Sequence, residues 1–507
     1  MLSITRKYLV AAGIGILALG YSSFFLQGLR LFDNDYNQWL TFAREYSLST
    51  VLWQIFNPVL AEWNVDFRPV QTLTFKALFA LFEYNASGYY FFKSLMLGLF
   101  SAAYFLFLRH HLHNMIVAAI SAVFLIVASS TFTSLYWVSD FVIVSEFFAL
   151  LVFALFLHLE TDDKSSRGKA IAYLALMVLL TIICDRTKAN GKLIPGILFL
   201  YIVLFDWRKL KRYGIPIILM VLVVLPWPVL ITDPAPFLFV KGSAPPAYAW
   251  QPASLNKLWT LFAGDFAPFS LLYSKYPPIS VMAILGFPLV YLGSAGAVFL
   301  LYRKTAVPMA VRFMLVWAVV NIAALMSYPA LPQHFQARYA ISSLVPLCPL
   351  LFLAIYSATQ RLLSQRFAAA TLLTLVAVIQ IGFHGYHTVR MRNIGMPSLM
   401  IASGEVREYI AANFSNAAFY YYELPVFAFR PTSDGNQFFS SIHDTWPDVI
   451  ASQPQGTSLF VVSGKSIYSP ELRLHAVFPG RSDSWFDRTF NSEARHTPVT
   501  LYLHELL

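Results

Sequence analysis

The sequence predicts a mainly α fold: a polytopic transmembrane helix bundle followed by a small α/β domain outside the membrane. Three observations predict it. Of 507 residues, 58% are hydrophobic and 12% charged, roughly half the ~25% charge of soluble domains, and the mean hydropathy is +0.60. Apolar runs of spanning length recur as far as residue 383. Beyond residue 390 charge rises, and period-two alternation replaces the long runs.

The net charge of +10 is spread over short loops between apolar runs. That distribution is topogenic, and it argues against a nucleic-acid partner. Cys184 and Cys348 lie far apart at the ends of apolar segments, so buried free thiols are expected and a disulfide framework is not.

The first run, 8–26, follows Arg6 and Lys7. It is long enough to span, so it reads as a retained helix and not as a cleaved signal. Further runs lie at 89–108, 115–131, 141–158, 170–184, 193–205, 215–231, 279–301, 311–327, 339–355 and 367–383. The expectation is about eleven spans. Runs 170–184 and 193–205 are short for a ~30 Å core and read as tilted or as a re-entrant pair. With the N-terminus inside, the loops at 109–113, 164–169, 208–212, 303–312 and 361–366 fall inside, and all are basic. A cytoplasmic N-terminus follows. It puts loop 31–88, segment 233–278 and everything after residue 383 outside. Val70, Leu73, Thr74, Ala77, Leu78, Leu81 and Phe82 recur at helical spacing behind Pro69, predicting an amphipathic helix on the membrane surface. A second such helix is expected at 252–262. The membrane domain is therefore 1–388 and the outer domain 389–507, with strands expected at 418–429, 458–463 and 499–504. Roughly 115 residues suffice for a separate core.

Chemistry concentrates on the outer face. Asp33 and Asp35 follow the first span directly, in a place where anchoring requires no acid. Acids there read either as functional groups or as hydrated loop residues. Asp66 lies beside Arg68 and Pro69, and Asp140 precedes the fourth span. Asp140 reads as a helix cap or a site acid, and Glu146 as an internal hydrogen-bonding partner or a site group. The turn from Asp185 to Lys192 carries Arg186, Lys188 and Lys192 on the side where positive charge is disfavoured. Those cations serve an anion, or they pair with Asp185 and its neighbours. Arg338, entering the tenth span, either joins them or snorkels to the interface. Carboxylates and cations on one face point to group transfer from a phosphorylated lipid. The cofactor is left open, a divalent metal included. No His, Cys and acid spacing forms a strong metal motif, and the histidines of 109–113 read as topogenic.

These motifs resemble the GT-C membrane glycosyltransferases, within them the branch of protein O-mannosyltransferases and the bacterial enzymes that modify lipid A. The resemblance rests on Asp35 with Tyr36, then Ala43, Arg44 and Glu45. It extends to Phe67, Arg68, Pro69 and Val70, to the turn from Asp185 to Lys192 before Leu193, Ile194 and Pro195, and to Arg338 with Tyr339. It covers about residues 9–356. It implies a polyprenyl-phosphate-linked sugar donor, membrane lipids as surroundings, and a glycan, lipid or protein acceptor outside the membrane. It also implies Asp35 as the catalytic acid, with Asp33 as alternate and Asp66 and Asp140 next. Arg68, Arg186, Lys188, Lys192 and Arg338 would meet the donor phosphate. The chain departs from the family in separating its two first-loop acids by Asn34 and in lacking the Lys-Glu pair of the basic turn. A bacterial inner membrane, with the site facing the periplasm or exterior, is the expected location. A lipid-linked oligosaccharide polymerase or ligase is the nearest rival, but it would place arginines in a large later loop. A lipid or solute transporter would place charge at mid-membrane.

Overall fold

The computed structural model describes residues 2–26, 43, 46–56, 68–83, 85–162, 166–224, 307–327, 341–363, 396–422, 436–440, 457–479 and 500–506, with isolated helical positions between 367 and 382. The described part is mainly helical, with one small C-terminal sheet.

Helices α1 (Leu2–Leu26), α2 (Leu48–Phe56), α3 (Pro69–Phe82), α4 (Ala86–Leu112), α5 (Met115–Val127), α6 (Ser129–Tyr136), α7 (Val142–Thr161) and α8 (Arg167–Thr187) open the chain. Then come α9 (Leu193–Asp206), α10 (Leu210–Val224), α11 (Met309–Ser327) and α12 (Ile341–Leu363). Among the described residues, four stretches are long and apolar enough to cross a membrane: Arg6–Leu26, Ala86–Leu112, Val142–Thr161 and Arg167–Thr187. Their outward faces carry bare apolar side chains such as Ile16 and Ile171, which suits lipid contact.

Small residues set the closest helix approach. Ala11, Ala18 and Ser22 are buried along α1, and Ser94 and Ser101 along α4. Between them a Cβ on Gly98 would lie 2.9 Å from the Gly15 carbonyl oxygen. Without a hydrophobic drive in lipid, such backbone proximity is what holds helices together. Deeper in the bundle, Phe153 meets Trp317 at 4.6 Å and Phe313 at 5.1 Å, and Phe156 meets Tyr213 at 5.2 Å. Polar clamps join the later helices: Tyr104 donates to the Val345 carbonyl at 2.5 Å, and Asn321 to the Ser342 carbonyl at 2.7 Å.

Several expectations shift in detail. The run at 115–131 is two helices, because Ala128 turns extended (ψ 138) and α6 starts afresh at Ser129. The serines and threonine that follow favour such a restart. The run at 170–184 becomes the 21-residue α8 and is no longer short. By contrast α9 has 14 residues, about 21 Å at 1.5 Å per residue, short of a ~30 Å core. Helix α3 forms with Pro69 in its first turn, but its inward face is Gln71, Thr72, Phe75 and Leu78, while Leu81 is exposed. The apolar stripe at 70, 73, 77 and 81 is thus not the face turned to the protein. Run 279–301 and the helix expected at 252–262 lie outside the described residues.

In the C-terminal part, α13 (Met396–Asn413) precedes β1 (Ala418–Tyr422), β2 (Gln437–Ser440), β3 (Leu459–Ser463), β4 (Leu472–Pro479) and β5 (Thr500–Leu506). The sheet order is β2-β1-β3-β5-β4. Strand β1 pairs in parallel with β2 and β3, whereas β5 is antiparallel to β3 and β4. Helix α13 covers one face through Val406, Tyr409 and Ile410, against Phe419, Phe460 and Phe478. Three of these strands overlap the expected ones; β2, β4 and α13 were not anticipated.

Candidate functional site

The site grows from the short link between α6 and α7, residues 137–141. Three chain segments pin it. The Lys93 ammonium, buried on α4, donates to the carbonyls of Ser134 (2.8 Å), Trp137 (2.9 Å) and Asp140. A cation suits the unsatisfied carbonyls at the end of α6. Gln71 of α3 donates to the Ser139 carbonyl at 2.6 Å and accepts from Arg68 at 3.4 Å. Lys188, one residue past α8, forms an ion pair with the Asp140 carboxylate.

Asp140 also braces the start of α7: its Oδ1 accepts from the Val142 amide at 3.2 Å, while the N-cap position itself is Phe141. This hydrogen bond and the ion pair together hold the carboxylate in place.

Asp185 and Arg186 occupy the last turn of α8. Arg186 binds Asp185 Oδ2 at 2.8 Å and donates to the Val223 carbonyl at 3.0 Å and the Ile55 carbonyl at 3.4 Å. Its guanidinium therefore holds the ends of α2 and α10 against α8. The following turn, Ala189–Lys192, is folded tightly over Asp185: a Cβ on Gly191 would come within 2.3 Å of the Asp185 amide nitrogen. Gly191 N donates to the Lys188 carbonyl at 3.2 Å. This closure keeps Lys192 near Asp185, Arg186 and Arg68. Burial pushes the Lys192 ammonium below its ordinary 10.5; Asp185 opposes that shift, and Arg186 and Arg68 add to it.

Arg68, Asp140, Arg186, Lys188 and Lys192 are thus brought to one end of the bundle. Asp33, Asp35, Asp66 and Arg338 lie outside the described residues. Glu146 is buried on α7, below this cluster. Nearby, Cys184 is a buried thiol within 3.2 Å of the Ser145 hydroxyl; Cys348 is buried too, and neither is in a disulfide, as the sequence predicted. Among the described residues, no group of three or more His, Cys, Asp or Glu side chains is placed to hold a metal.

Sequence reasoning missed Lys93 and Gln71. A signal existed for Lys93: it is the lone charge within the apolar run 89–108, and a cation inside a span needs a reason.

The opposite end of the same helices behaves differently. Glu160, in the last turn of α7, accepts from Lys209 at 2.5 Å and Tyr213 at 2.8 Å. Arg167, Lys169, Arg208, Lys211 and Arg212 around it are exposed.

No protein-family model matches this chain, and comparison with characterised proteins finds no significant match.

Proposed function

We propose that the chain is a membrane glycosyltransferase that moves a sugar from a polyprenyl-phosphate-linked donor to an acceptor at the Asp140 end of the bundle. The observation that carries this reading is the gathering of Arg68, Arg186, Lys188 and Lys192 around Asp140 and Asp185, with Glu146 buried below them. Bringing cations together against burial costs free energy. A phosphate diester arriving from the lipid would offset that cost through charge-assisted hydrogen bonds.

In this reading the acceptor hydroxyl attacks the sugar's anomeric carbon. The bond from that carbon to the phosphate oxygen breaks, and its electron pair leaves with polyprenyl phosphate. The hydroxyl proton passes to a carboxylate. Asp35 is the assigned base, with Asp33 as alternate and Asp66 next, because Asp140 is held by Lys188 and its helix. Arg68, Lys192 and Arg338 are assigned to the phosphate. Arg186 and Lys188 shape the site through their fixed ion pairs. The domain division stays at 388/389, with the second domain and the site on the outer side of a bacterial inner membrane.

Purified protein supplied with a radiolabelled polyprenyl-phosphate sugar tests the reading. Transfer to an acceptor is expected, and Asp35→Asn at saturating donor should slow it by about 10²–10⁴-fold, the usual loss for a general base. Polymer growth would assign a polymerase or ligase instead. Absence of both products would leave the transporter reading. A reporter fused after Arg390 should be outside and one after Lys209 inside; a cytoplasmic signal from the first overturns the active-face assignment.

A further inference from the structure

Asp185 is buried, and Arg186 binds only one of its two carboxylate oxygens, Oδ2; Oδ1 has no hydrogen-bond partner among the described residues. An acceptor left dry in a buried site is costly. The surroundings narrow what brings the missing donor. A cation would be repelled by Arg186, Lys192 and Arg68, and an anion by the carboxylate itself. A neutral hydroxyl meets neither obstacle. The adjoining cations favour a phosphate, so the best-matched ligand carries an anionic group and a neutral hydroxyl a few ångströms apart. A sugar phosphate does.

We infer that Asp185 Oδ1 accepts a hydrogen bond from one hydroxyl of the donor's sugar ring, making Asp185 a specificity residue of the site. The inference rests on the glycosyl-transfer reading and deepens it. The turn geometry supports it independently. The close fit of Gly191 on the Asp185 backbone holds the carboxylate beside Lys192, so hydroxyl and phosphate contacts are set by one rigid turn.

The experiment compares wild type and Asp185→Asn with the parent donor and with donors lacking one sugar hydroxyl each. The asparagine keeps an oxygen for Arg186 but presents an amide donor where Oδ1 was. With the parent donor kcat/KM should fall roughly 10- to 100-fold, the loss expected for a hydrogen bond to a charged group. For one deoxy donor alone, wild type should already be that slow, and Asp185→Asn should add nothing. An equal penalty on every donor overturns the inference and leaves Asp185 a structural partner of Arg186. A wild type that turns over no donor instead sinks the transfer reading, a distinguishable result.

A second measurement covers an Asp185→Asn protein that does not fold. Wild type is treated with a hydrophobic carbodiimide, and modified Asp185 is quantified by mass spectrometry. Protection by polyprenyl-phosphate sugar, but not by polyprenyl phosphate alone, is expected. Equal labelling under both means that Oδ1 meets only water and overturns the inference; no labelling at all overturns it too, because a carboxylate closed to the reagent is closed to a sugar hydroxyl.

Discussion

Two lysines hold a buried carboxylate each at the two ends of α7. At the start, Lys188 binds Asp140 with only 10% of its side chain exposed; at the finish, Lys209 binds Glu160 with 36% exposed. The first pair is enclosed by α3, α4 and α8, whereas the second shares its carboxylate with Tyr213 and sits among solvated basic residues. The difference teaches where charge is left in solvent and where it is drawn into the protein. Basic residues that bias insertion need only lie in water at a loop. Charges drawn into the protein must be matched individually, and that demand is met at the Asp140 end.

The largest expected effect comes from breaking the enclosed pair. Lys188→Ala should lower stability by about 3–5 kcal/mol, the cost of leaving a buried carboxylate alone, read by thermal unfolding in detergent. A double change, Asp140→Asn with Lys188→Met, should restore much of that loss, because no uncompensated charge remains. A double variant as unstable as the single one would mean that the pair is mere packing.

Next come the cations beside Asp185, which the comparison divides in two. Arg186 is occupied by a carboxylate and two carbonyls, so Arg186→Ala should mainly destabilise. Lys192→Ala should mainly weaken donor use, roughly 10- to 100-fold for a charge-assisted contact. The reverse pattern would exchange their assignments.

Lys192 also makes the site sensitive to alkali. Its proton is held less tightly in the folded protein than in the unfolded chain. Between the lowered value and 10.5 the unfolded state binds more protons, so this group's contribution to stability rises with pH across that window. If Lys192 binds the donor phosphate, donor affinity should move the other way, full below the lowered value and lost as pH rises through it. Lys192→Arg, which stays charged, should remove the alkaline fall in donor kcat/KM. An unchanged pH profile in Lys192→Arg would detach that fall from Lys192.

How much of this could be read beforehand depends on what the physics averages over. Helices α1, α4 and α7 were legible because lipid leaves a backbone few alternatives to helix. Helix α8 was read too short since hydropathy stops at Asp185. The helix runs on, because Asp185 and Arg186 neutralise each other within the last turn. Lys93 escaped for the opposite reason: one lysine hardly changes the mean of a long apolar run. Strand β4 was missed because Arg473, Leu474 and His475 are all exposed, so alternation does not mark a buried face. The order of acids and cations along the chain pointed to one face. Which of them pair, and which oxygen is left over, depends on contacts between residues as distant as Asp140 and Lys188.

The smallest expected effect lies at the other end of α7 and probes the comparison from below. Lys209→Ala removes one of two donors to Glu160, yet the Tyr213 hydroxyl remains at 2.8 Å. Lys209 is exposed enough for water to replace part of what it supplies. The loss should stay within about 0.2–1 kcal/mol, the range of accessible ion pairs, and shrink as salt screens the interaction. Tyr213→Phe should cost about 1.5–3 kcal/mol, because its hydroxyl donates to a carboxylate, but with little salt dependence. Both are measured as shifts in thermal midpoint at low and high salt, beside Lys188→Ala. A Lys209→Ala loss as large as that of Lys188→Ala, and equally indifferent to salt, would make the two ends alike and remove the contrast in burial as a guide to where the chemistry is.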